Sequence, residues 1–96
     1  MKWSYTYQPG FVADLKRLDH QVAKRIIEKL ESIQDDPLRA MKRLKGSDLF
    51  SLRVGDYRVY ARAYVAQQLL DFVRAGHRRN HSTLRRKEKK NGKRKN

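Results

Sequence analysis

Arginine, tyrosine and histidine recur between residues 53 and 81 at spacings that gather them on one surface. The run Leu52-Arg53-Val54-Gly55-Asp56-Tyr57-Arg58-Val59-Tyr60 alternates apolar and polar residues around Gly55-Asp56, the pattern of two strands joined by a tight turn. A strand period of two puts Arg58, Tyr60, Arg62 and Tyr64 on one face and turns Val59, Ala61, Ala63 and Val65 toward a core. Gly76-His77-Arg78-Arg79-Asn80-His81 then brings histidines and more arginines on the next strand. Cutting RNA needs a base for the 2′-hydroxyl proton, cations for the charge that develops on the phosphate, and an acid for the leaving 5′-oxygen. Arginine suits the second role because its fork binds two phosphate oxygens at once. Histidine suits proton transfer, and His81 is the candidate. His77 alternates to the opposite face, and His20 sits at a helix start as a surface residue. Neither cysteine nor clustered carboxylates accompany His77 and His81, so no metal and no other cofactor is expected. Tyr64 is placed to stack on bases, whereas Tyr57 and Tyr60 read better as packing between strands.

The charge balance points to a polyanionic partner. The 96 residues carry 24 Lys plus Arg against 10 Asp plus Glu, a formal +14. Residues 84–96 hold half of that excess, and the rest of the chain holds the other half. Such a protein attracts phosphate polyanions through counterion release, whatever their sequence. Arg62, Lys45, Arg79, Arg85, Arg86 and Lys87 belong to this RNA-attracting set. Lys42, Arg43 and Lys45 in a loop, with Lys16, Lys24 and Arg25 on helices, make a candidate docking surface for ribosomal RNA, although the helical lysines Lys16 and Lys24 read better as a solvated helix face. The basic tail has no apolar face for a membrane, and no run approaches the ~18–20 apolar residues that span a bilayer. With no cysteine and no signal-peptide pattern, a soluble cytoplasmic protein is expected, with no small-molecule ligand.

These residues must be held by a small scaffold. Residues 3–8 read as a strand stopped by Pro9-Gly10, after which Phe11, Leu15 and Leu18 recur at helical spacing. Asp19 suits the N-cap of a second helix with the stripe Val22, Ile26, Leu30 and Ile33, ended by Pro37. A loop over 38–48 leads to strands near 49–54, 57–65 and 69–75, with turns at Gly55-Asp56 and Gln67-Gln68. The expected fold is α+β: an N-terminal strand, an antiparallel helix hairpin and a three-stranded antiparallel meander, with the helices on one sheet face and the other face open. Residues 1–83 form the domain, and 84–96 a disordered basic tail.

This order of elements, with Leu44-Lys45-Gly46, the Arg53–Tyr60 block and Gly76-His77-Arg78-Arg79, resembles the RelE/ParE family of toxin–antitoxin toxins over essentially residues 1–82. RelE-like members are ribosome-dependent endoribonucleases that cut mRNA, and ParE-like members share the fold but poison DNA gyrase. The resemblance implies that Arg58 contacts the scissile phosphate, that Arg78 stabilises the transition state, that Arg53 helps hold the RNA, and that His81 transfers a proton. It also implies lysines where this chain has Ser51 and Leu49, and a tyrosine where it has Ser82. The expected partners are a cognate antitoxin, the ribosome and mRNA. The alternatives are a ParE-like gyrase inhibitor or a non-catalytic basic RNA-binding protein.

Overall fold

The computed structural model describes residues 2–77. Arg78, Arg79, His81, Arg85, Arg86 and Lys87, the expected boundary at residue 83 and the tail lie outside the described residues. The chain opens with strand β1 (Ser4–Tyr7), then helices α1 (Pro9–Arg17) and α2 (His20–Ser32). A short helix α3 (Pro37–Ala40) leads to β2 (Lys42–Arg43), and β3 (Leu49–Val54), β4 (Tyr57–Tyr64) and β5 (Leu69–His77) complete it. The five strands form one sheet in the order β1-β5-β4-β3-β2, with β1 parallel to β5 and the other pairs antiparallel.

Pro9-Gly10 does more than stop β1. Proline at the first helical positions loses no hydrogen bond that the helix would have made, so α1 starts there. Phe11 is then carried into the core, stacked with Tyr7 and packed on Phe72. Tyr5 meets Phe72 edge-on at 4.8 Å and donates a 2.6 Å hydrogen bond to the Leu30 carbonyl, which ties β1 to α2. Asp19 precedes α2 as expected, but only its carbonyl serves, accepting from Val22 and Ala23; its side chain makes no capping bond. Of the α2 stripe, Ile26 and Leu30 are fully buried, and Val22 and Ile33 pack on the core from its margin.

Four expectations need correction. The stretch 38–48 is not all loop: α3 and β2 lie within it, and β2 widens the meander to four antiparallel strands. A four-residue helix and a two-residue strand are too short to show a period. Second, β4 ends at Tyr64, and Val65 enters a 3₁₀ turn where it is 61% exposed rather than in the core. The turn closes on Gln68 at φ 51°, a left-handed residue that reverses the chain into β5. Third, β5 runs on to His77 and carries a bulge: Tyr60 pairs with Arg74 but Ala61 with Phe72, leaving Val73 as the extra residue. Fourth, the outer face is not bare, because Tyr60 and Ser51 are only 4% and 7% exposed.

Candidate nucleic-acid interface

Strand register sorts the outer face into rows. Directly opposed residues share a face, so one row holds Arg53, Arg58 and Gly76. The next holds Lys42, Ser51, Tyr60 and Arg74, and a third Leu49, Arg62 and Asp71. Gly55, at φ 62°, makes the turn that sets this register.

The arginines of these rows divide by what neutralises them. Arg62 pairs with Asp48 at 3.6 Å, a surface contact of small energetic weight. Arg74 is held firmly: its Nε and Nη2 donate to Asp14 of α1 at 2.8 and 3.2 Å. Asp14 is 6% exposed and also accepts the Ala75 backbone N–H at 2.9 Å and Arg17 Nη1 at 3.2 Å. Burial alone would push its carboxyl up. The hydrogen bonds from Arg74 and the Ala75 amide, with the charges of Arg74 and Arg17, outweigh burial and hold it below the ordinary carboxylate value. The same pairing raises the Arg74 guanidinium.

Among the described residues, Arg58 and Arg53 have no such partner. Like charges set directly across an antiparallel pair destabilise it, so neither position is explained by sheet stability. Arg58 is half-buried, and its Nε is buried with no hydrogen-bond partner among the described residues. Buried polar nitrogens are ordinarily satisfied, so this one is an exception among the described residues. On its other side stands Gly76, which adds no side chain to the row. Arg53 leans toward the turn, where its Nε donates to the Gly55 carbonyl at 3.3 Å.

The remaining candidates are scattered. Lys45 is exposed in the connection between β2 and β3, and Tyr64 is exposed at the end of β4. Tyr57 lies edge-on to His77 at 5.2 Å, so His77 does turn to the face opposite Arg58, as its alternation predicts. Two further residues belong to the site. Lys42 stands beside Ser51 in the second row, a placement visible only once β2 is known. Asp14 sits between Phe11 and Leu15 on α1, and a carboxylate inside an apolar stripe is the signal that marks it. Among the described residues no cluster of His, Cys, Asp and Glu could hold a metal, and no helix is long and apolar enough to cross a membrane.

The family model for the ParE toxin of type II toxin–antitoxin systems, parDE, matches residues 5–81. The chain belongs to the RelE/ParE family and is a toxin of a type II toxin–antitoxin system. Its fold is similar to the RelBE2 toxin–antitoxin complex of Mycobacterium tuberculosis, with TM-score 0.75 and 22% identity over 80% of this chain and 99% of that one. The RelB–RelE complex of Methanococcus jannaschii gives 0.65 and 26%, over 80% and 94%. Chromosomal ParDE of P. aeruginosa gives 0.64 and 15%, over 79% and 96%. No curated protein sequence matches the chain. RelE and ParE structures thus share this scaffold.

Proposed function

We propose that this toxin is a RelE-like mRNA interferase, a ribosome-dependent endoribonuclease that acts in the cytoplasm and is silenced by a separate antitoxin. One observation supports the reading: among the described residues Arg58 has no counter-ion and its buried Nε no hydrogen-bond partner, and it stands opposite a second arginine. A phosphate supplies the acceptor and the negative charge that the sheet lacks there. In this scheme Arg58 grips the scissile phosphate and Arg53 the neighbouring backbone. Arg78 neutralises charge developing in the transition state, and His81 moves the proton between the 2′-hydroxyl and the leaving 5′-oxygen. Arg62, Lys45, Arg79, Arg85, Arg86 and Lys87 draw RNA to the face by charge. Solved relatives crystallised as toxin–antitoxin complexes support an antitoxin partner for this chain too.

A second reading, inhibition of DNA gyrase, is favoured by the ParE family model and by Ser51 and Leu49 standing where lysines are implied. Induced expression with mapping of mRNA 5′ ends separates the two. Codon-phased cuts that vanish in Arg78→Ala and His81→Ala support the interferase; intact mRNA with stalled replication supports gyrase.

A further inference from the structure

We propose that Arg25 of α2 and Arg53 of β3 form a second phosphate site at the β3–β4 turn, which holds an RNA backbone as it passes from the sheet face onto the helix layer. This inference deepens the reading of the chain as an RNA-binding toxin and rests on it. Two guanidinium groups from different layers approach one residue, Gly55. Arg53 Nε donates to the Gly55 carbonyl at 3.3 Å, and a methyl group placed on Gly55 would stand 3.9 Å from Arg25 Nη1. Both arginines are exposed. Asp56 lies in the same turn, yet among the described residues no carboxylate comes within ion-pair distance of Arg25 or Arg53.

Two cations at one turn repel each other, and a single carbonyl oxygen does little to offset that. A phosphate between them would accept from both forks. The placement also fits a continuous strand. Arg53 starts on the Arg58 row and reaches toward a turn two residues on, about 7 Å at the usual rise of about 3.4 Å per residue. The cationic line therefore continues from Arg58 through Arg53 to Arg25, bridging the sheet and α2. Nucleic-acid backbone is the polymer that presents regularly spaced anions to such a line.

The test uses the full chain and a 2′-O-methyl RNA oligonucleotide, which lacks the hydroxyl needed for cleavage, with affinity measured by fluorescence anisotropy against salt. Arg25→Ala and Arg53→Ala should each lower the slope of log affinity against log salt by about 0.7, and the double variant by about 1.4. Between roughly 50 and 200 mM salt, each lost contact then reduces the fall in affinity about 2.6-fold. Arg25→Lys should keep the slope, because it keeps the charge, whereas Lys16→Ala on α1 should change nothing. Melting curves confirm folding, with Arg25→Gln as a second variant. Slopes unchanged in both alanine variants, an equal loss in Lys16→Ala, or tighter binding of duplex DNA would overturn the site. Mapping 5′ ends with the parent protein keeps the two readings apart. Cleavage with unaltered slopes defeats only the Arg25–Arg53 site; reduced slopes without cleavage defeat only the interferase.

Discussion

Replacing Asp14 by alanine should loosen the seam between α1 and β5. Where β1 ends, the Asp14 carboxylate takes over as acceptor for the Ala75 amide and as counter-ion for Arg74. An orphaned amide donor costs about 1–3 kcal/mol. Arg74 is about half exposed and can rehydrate, so its loss adds at most about 1 kcal/mol, and the more exposed Arg17 adds less. Asp14→Ala should therefore cost about 2–3 kcal/mol, or roughly 10–20 °C in a domain of this size. Asp14→Asn keeps an oxygen for the amide and should cost about half as much. The pH dependence is the sharper check. A carboxyl with a lowered folded pKa contributes its stability above the unfolded value of about 3.9 and loses it as pH falls through the folded value. Urea unfolding of parent and Asp14→Asn should show the full gap at pH 7 and a narrowing gap below about pH 4. An alanine variant within about 0.5 kcal/mol of the parent, or a gap that ignores pH down to 3, would refute this account of the seam.

Arg58→Ala should cut ribosomal mRNA cleavage by about 10²–10³-fold while leaving the melting temperature unchanged or slightly higher, since it removes a like charge opposite Arg53. A large drop in melting temperature would assign Arg58 to the scaffold instead. Tyr5→Phe should cost about 1 kcal/mol through the lost bond to Leu30. Burial, aided by the neighbouring Tyr7, pushes the Tyr5 phenol up to about 12. Its contribution is complete below the unfolded value of about 10 and lost as pH rises toward 12, and an alkaline absorbance titration of Tyr5→Phe should lack that late component. Gly55→Ala should cost about 1–2 kcal/mol by urea unfolding; the added methyl has room, so the cost comes from the backbone at φ 62°.

The elements legible in the sequence are those long enough to show a period. Ile26 and Leu30 announce α2, and alternation around Gly55-Asp56 announces β3 and β4 with their register. Proline and glycine were ambiguous, since Pro9 both ends β1 and begins α1. The bulge at Val73 is invisible to a strict period of two, which breaks between the buried residues Phe72 and Ala75. On the outer face, Arg53 and Arg58 were legible because the turn fixes which residues oppose each other. The place of Lys42 beside Ser51 and the approach of Arg25, from α2, to the β3–β4 turn were not, because these neighbours come from distant stretches of sequence. Asp14 escaped for the same reason: its bonds to Arg74 and Ala75 span 60 and 61 residues.

The Asp14 contact also bears on how this sheet meets other chains. An unpaired strand edge is a repeating template on which a foreign strand can add, slip or polymerise. Beyond Phe72, β5 runs on without β1, but a helix carboxylate already occupies its outward amide at Ala75 and Arg74 stands beside it. The opposite border is β2, two residues long and both cationic. Each is a device that blunts an edge, one by covering it and the other by brevity and charge. What remains includes the outer border of β1, from Ser4 to Tyr7. Among the described residues, a polypeptide that extends this sheet by strand addition has those four residues to pair with, and the stretch of β3 beyond Ser51 that β2 does not reach.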